Sequence, residues 1–375
     1  MTSESEERAP DGRRSDGNGA ARLARLALLF TLSALGGLAF ERLGAPLPWM
    51  IGPLVISAAI FVSGAIRVGV PTGIRPFGQV VVACQVGLAF SPEAFAMLVQ
   101  LAPAIVGTAL MTGLCIFVVA LILSRLAGIS LAQAFLCGVP TSPVEAAGMA
   151  IRAGIDPMPV VLSQTLRLSA VVVALPFALY ALDGWPDARR AFVRIEPVDP
   201  MNLALLAAIG VAAATTFRRL RVPNPNFLGP LSVCALLAVT DHAPAPFPGM
   251  VLALAQVVLG TWLGSTFRRE LMGAAGRMAA AFLGATLLVL ILCSGGAILI
   301  GRAAGLDWRT MVLGAAPGGV VEMALTAKFL GQNVALITSF HLTRIFILMP
   351  SIPWLVRLIS RYETRTPKTE KTDAR

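Results

Sequence analysis

Charge is scarce in this sequence. Only 13% of its 375 residues are Asp, Glu, Lys or Arg, and 56% are hydrophobic, where a soluble globular domain carries roughly 25% charged residues. The composition excludes an ordinary water-soluble fold. Histidine is scarcer still. There are two, His242 and His341, with no His-x-x-His or Glu-x-x-His pair. The clustered imidazole and carboxylate ligands of a copper or iron oxidation centre are missing, so no metal site and no cofactor is expected. The five cysteines, Cys84, Cys115, Cys137, Cys234 and Cys293, stand singly in apolar stretches without a C-x-x-C. They read as buried, inert thiols and give no disulfide framework. Zinc-finger and basic-zipper patterns are absent, and the net charge of +10 is spread between apolar runs and over the tails. Direct nucleic-acid binding is therefore not expected.

What the chain has is apolar length. Runs at 23–40, 48–64, 101–124, 157–182, 200–217, 278–301 and 335–358 are each about the 20 residues that cross a hydrocarbon core of about 30 Å. The fold class is read as all-α and integral to a lipid bilayer, with many crossings. Residues 1–22 are polar and rich in glycine and charge, and read as a disordered cytoplasmic tail. A basic cytoplasmic tail covers 360–375.

The apolar part is written twice. Pro46 laid on Pro223 sets an offset of 177 residues, which puts "PLPWMIGPL" (46–54) on "PNPNFLGPL" (223–231). The same offset carries Gln79 to Gln256, Gly87 to Gly264, Pro140 to Pro317, Glu145 to Glu322 and Arg167 to Arg344 without a gap. The chain is thus read as two membrane repeats, 23–182 and 200–359, joined by a polar linker at 183–199.

Cations set the expected orientation. An inside N-terminus is marked by Arg8, Arg13, Arg14, Arg22 and Arg25. Six crossings per repeat would strand Arg218, Arg219, Arg221, Arg268, Arg269 and Arg277 outside. Five crossings bring them inside, with Arg67, Arg75, Arg125, Arg152 and the basic C-terminus. Arg42, Arg189, Arg190, Arg194, Arg302, Arg309 and Lys328 then lie outside. The positive-inside rule favours five. The expectation is about ten crossings, two inverted repeats and both termini cytoplasmic. One odd piece per repeat is re-entrant: the Pro-broken piece 131–153, or the short run around Gln79.

Two interruptions carry the polar chemistry. The first reads Pro140-Thr141-Ser142-Pro143-Val144-Glu145, an S-x-x-E capping box with proline at the first helical position. The second reads Pro317-Gly318-Gly319-Val320-Val321-Glu322, where glycine can cap the helix and let a ligand approach the backbone. Each opens a half-helix whose free N–H groups favour an anionic or polar group. Glu145 and Glu322 either cap their own helices or serve a site. Arg167 and Arg344, deep in the last run of each repeat, need a partner or water. They either pair with those glutamates or bind an anion. Gln164 and His341 occupy equivalent positions and could add hydrogen bonds. Gln79 and Gln256 are expected to bond across helices, and the two Gly-Pro-Leu motifs to kink or close-pack theirs.

The duplicated P-x-P-x-x-x-G-P-L and the segment "LGAAPGGVVEMALTAKFLGQNVALITSFHLTRI" resemble the AbrB duplication family of bacterial membrane proteins, over about residues 23–360. The second copy resembles it more closely; the first has "VPTSPVE" where the pattern has Pro-Gly-Gly. The resemblance implies an inner-membrane protein carrying one of two labels, an ammonia monooxygenase or a membrane-bound regulator of gene expression. The histidine count argues against the first label, and against an enzyme. Two functions stay open: a secondary transporter of a small, anionic solute, and a membrane sensor that binds a ligand without net transport and acts indirectly on gene expression. A homodimer also stays open.

Overall fold

The computed structural model describes residues 14–66, 68–183, 199–267 and 269–365. The linker interior, the outer tails and Arg8, Arg13, Arg67, Arg189, Arg190, Arg194, Arg268, Lys368 and Lys371 lie outside the described residues. The first repeat holds α1 (Arg14–Arg42), α2 (Pro48–Ser63), α3 (Arg75–Gly87), α4 (Pro92–Gln100), α5 (Ala102–Ala127), α6 (Leu131–Gly138), α7 (Pro143–Arg152) and α8 (Pro157–Asp183). The second holds α9 (Pro200–Arg219), α10 (Pro225–Val239), α11 (Gly249–Gly264), α12 (Arg269–Ala304), α13 (Trp308–Ala315), α14 (Val320–Phe329) and α15 (Val334–Arg365). Among the described residues there is no strand.

Proline and glycine place many of these boundaries. Pro48, Pro92, Pro143, Pro200 and Pro225 sit in the first turn of their helices, where the missing N–H costs nothing. Gly64 and Gly128 close α2 and α5 with φ of 74° and 67°, a left-handed turn that glycine takes without steric cost. The duplication extends to the boundaries themselves. Moved by 177 residues, α6 and α7 fall on α13 and α14 at both ends. Leu47 and Asn224, the paired x of P-x-P, both take left-handed backbone, at φ 44° and 48°.

Six helices are long and apolar enough to cross a membrane: Gly19–Arg42 within α1, then α5, Pro157–Leu182 within α8, α9, Met278–Ala304 within α12, and Val334–Glu363 within α15. The run 48–64 does not join them. It forms a 16-residue helix, about 24 Å at 1.5 Å per residue, and α10 and α11 are comparably short, at 15 and 16 residues. The segment Thr72–Gly87 and α4 bend by 85° at their junction. Two tails are shorter than expected. α1 starts at Arg14 and α15 runs to Arg365, because nothing at Ala20–Ala21 or Arg361–Tyr362 stops a helix.

The repeats pack into each other rather than side by side. α2 lies against α1 and against α11 of the other repeat, and α10 lies likewise against α9 and α3. These six helices make one bundle. α5, α8, α12 and α15 make a second, which carries the short pairs α6–α7 and α13–α14. The Gly-Pro-Leu motifs act at the close approaches. A Cβ on Gly52 would stand 2.5 Å from the Gly36 carbonyl oxygen, and one on Gly229 would stand 2.6 Å from that of Ala213. Gly264 of α11 faces Ser57, the Leu54 carbonyl and Ala58 of α2 at similarly short range. Small residues let membrane helices meet backbone to backbone. We expect Gly264→Val to force α11 off α2, costing about 1–3 kcal/mol and lowering the thermal unfolding midpoint in detergent. Gly284→Ala, inside α12 where a Cβ has nothing within 4 Å, should leave the midpoint no lower than wild type.

Candidate functional site

At the first interruption Ser142 is an N-cap in extended backbone (φ −76°, ψ 150°). Its hydroxyl accepts the Glu145 N–H at 3.3 Å, and Glu145 Oε2 accepts the Ser142 N–H at 3.4 Å. Thr141 Oγ1 donates to the same oxygen at 2.8 Å. Glu145 thus completes the capping box of its own half-helix. At the second interruption Gly319 takes nearly the same backbone (φ −76°, ψ 149°) but has no hydroxyl to give. The Glu322 carboxylate folds over Gly319, into the space that a Cβ there would fill.

The two arginines do a different job from the one their charge suggested. Arg167 Nη1 donates to the carbonyls of Gly138 (2.7 Å) and Val139 (2.8 Å), and its Nη2 donates to Gln164 Oε1. Gln164 Nε2 then donates to the carbonyls of Leu136 (2.7 Å) and Val139 (2.9 Å). The second repeat copies this. Arg344 donates to Ala316 O at 2.7 Å, Gly318 O at 3.1 Å and His341 Nδ1 at 3.0 Å, and His341 Nε2 meets Leu313 O at 2.9 Å. A guanidinium only donates and a carbonyl only accepts, so His341 carries its proton on Nε2. The expected Arg–Glu pairs do not form. Each fork instead satisfies carbonyls left over where α6 and α13 end, and the negative end of each half-helix offsets the buried charge. Gln164 and His341 are equivalent bridges between an arginine and a helix end. Both arginines are 2% exposed.

The two interruptions open onto one cavity of about 310 Å³ between the two bundles. Pro140, Thr141, Ser142, Glu145, Arg167, Gly318, Gly319, Glu322, Arg344 and Gln79 line it. Pro317, Gln164, His341 and Gln256 do not. Gln164 and His341 sit behind the arginines. Gln79 Nε2 donates across helices to Asn224 Oδ1 at 3.4 Å. Gln256 is fully buried with neither amide atom partnered. The reason for the difference is local: the counterpart of Asn224 is Leu47, which offers no side-chain acceptor.

Among the wall residues that escaped the sequence reading as site residues are Arg75, Asn224 and Trp262. Arg75 opens α3, stacks over Trp262 at 4.3 Å from the ring centroid, and lies in the fields of Glu322 and Glu145. A half-buried arginine one turn before Gln79 was the available signal. The wall carries three guanidinium groups against two carboxylates.

The fold defines an all-helical, membrane-type protein with several candidate crossings and a polar cavity between two intertwined bundles. The sequence pattern of the family described as "Transition state regulatory protein AbrB" matches residues 60–360, and the chain belongs to that AbrB family. One relative is the Escherichia coli (strain K12) protein named "Putative regulator AbrB", 25% identical over 337 residues, covering 89% of this chain and 96% of that protein. Another is "Uncharacterized protein YhjN" of Bacillus subtilis (strain 168), 22% identical over 352 residues, covering 88% of this chain and 91% of that protein.

Proposed function

We propose that this protein is a bacterial inner-membrane transporter of a small organic anion. The observation that carries this reading is the meeting of both interruptions, one from each repeat, in one cavity with an excess of guanidinium charge. Such paired breaks at a repeat interface are how many secondary transporters build a site. If the three shorter apolar helices and α3 cross along with the six long ones, each repeat has five crossings and the protein ten. On that count α6–α7 and α13–α14 are the re-entrant pieces. The positive-inside rule then inverts the repeats and puts both termini in the cytoplasm. An asymmetry supports alternating access: α14 packs on α3, whereas α7 has no comparable packing on α11. Exchanging those two arrangements would close this cavity and open its counterpart.

Within this reading Arg75 is the anion-binding residue, and Glu322 is the carboxylate that offsets its charge. Arg167 and Arg344 are positioning residues that hold the interruptions open. No catalytic chemistry and no direct nucleic-acid contact belong to it. Arg75→Gln is expected to lower uptake of small carboxylates into proteoliposomes about tenfold while the thermal midpoint stays within the wild-type range. Unchanged uptake would remove Arg75 from the site.

The names of the family and of the Escherichia coli relative favour a second reading, in which the same cavity senses a ligand and affects gene expression indirectly. Saturable binding with no flux under solute, proton or sodium gradients would select that reading and sink the transporter.

A further inference from the structure

A second cavity, of about 400 Å³, meets α3 at its other end. Arg75 and Gln79, at the start of α3, line the first cavity; Val82, Gln85 and Val86 line the second. α14 divides the same way. Residues 320–322 face the first cavity, and Ala324, Leu325 and Lys328 face the second. Apart from Gln85 and Lys328, the walls of this second space are apolar side chains, among them Ala243, Pro244 and Pro246 of an irregular segment.

Gln85 is half-buried and Lys328 is exposed at the mouth of this space. Gln85 Oε1 is buried and has no partner. Lys328 stands in the last turn of α14, where a cation ordinarily offsets free carbonyls. Here those carbonyls are already taken: Thr326, Ala327 and Lys328 accept the N–H groups of Leu330, Gln332 and Gly331 at 2.9, 2.8 and 3.2 Å. No hydrogen bond or ion pair engages the ammonium among the described residues. The pair is not a relic of the duplication either, since the equivalent positions are Trp262 and Ile151.

We infer that this second cavity is a separate binding site for small organic anions with an apolar body and a hydroxyl donor. The carboxylate sits on the Lys328 ammonium, the hydroxyl donates to Gln85 Oε1, and the apolar body lies against Val82, Val86 and Leu325. A cation and one amide in an otherwise apolar pocket select that combination, because polar groups fix orientation while apolar walls supply contact area. The site stands whether or not the protein moves its ligand.

The test is binding of 4-hydroxybenzoate, followed by calorimetry on the full chain in lipid nanodiscs. The expected result is saturable binding that Lys328→Gln weakens about tenfold. Lys328→Arg should keep it, and Arg125→Gln, which is exposed and lines neither cavity, should leave it within the wild-type range. The uncharged analogue 4-hydroxybenzyl alcohol should not bind. Absence of saturable binding to the wild type overturns the inference. So does binding by Lys328→Gln at wild-type strength with an unchanged thermal midpoint, or a loss confined to Arg75→Gln.

Discussion

Arg344→Leu is expected to cost about 3 kcal/mol or more of stability and to remove most of the folded protein recovered from membranes. The substitution leaves Ala316 O, Gly318 O and His341 Nδ1 without their donor inside the protein. Each orphaned buried acceptor costs about 1–3 kcal/mol. Hydrogen bonds between membrane helices average less than that, because the unfolded chain finds other partners in the bilayer. These acceptors differ in kind. Two of the three are backbone carbonyls in the break that follows α13, with no intrahelical donor to fall back on, so the larger figure governs. Lysine restores the charge but not the fork, so Arg344→Lys should lie between leucine and wild type. Arg167→Leu should cost less, because Val139 O keeps the donors Gln164 Nε2 and Thr141 N–H and only Gly138 O and Gln164 Oε1 lose theirs. Thermal unfolding in detergent, read with size-exclusion profiles, checks this. A wild-type midpoint for Arg344→Leu would mean that water or lipid serves those carbonyls, and the positioning role would fail.

The same arginines show where sequence reading stops. The membrane class, the duplication and both interruptions were legible, because proline, glycine and apolar length punctuate a helix by local sterics and hydropathy. Even the ends of α6–α7 and α13–α14 repeat at one offset. The partners of Arg167 and Arg344 were not legible. Opposite charges invite pairing on paper, whereas a helix-end carbonyl has no letter of its own. Arg75, Asn224 and Trp262 were missed as site residues for another reason. Their counterparts are Leu252, Leu47 and Gln85, so a search for duplicated polar residues passes over them. They reach the cavity only because α3, α10 and α11 pack across the two repeats. The asymmetry that hides them is also what gives the two cavities different chemistry.

Gly319→Ser is expected to stabilise the protein and abolish its activity. The cap backbones at Ser142 and Gly319 superpose in angle, so a serine at 319 can offer its hydroxyl to the Glu322 N–H as Ser142 does to Glu145. The new cap and the stiffer unfolded chain together contribute about 1 kcal/mol, a rise of a few degrees in midpoint for a protein of this size. The new Cβ, however, takes the space in which the Glu322 carboxylate now lies. The carboxylate must swing to the pose of Glu145, accepting the residue-319 N–H, and leave the field of Arg75. Arg75, no longer offset by that carboxylate, should then hold a small anion about tenfold more tightly, the scale of one charged contact, and release it too slowly for flux. Ser142→Gly is the reverse experiment. It should cost only a few tenths of a kcal/mol and leave activity intact, because Glu145 keeps its bond from Thr141. If Gly319→Ser is less stable than wild type, the carboxylate cannot turn aside and the shared cap geometry is not enough to build a box. If it is more stable and fully active, a Glu322 carboxylate free of a cap is not needed, and the second interruption is a structural copy of the first.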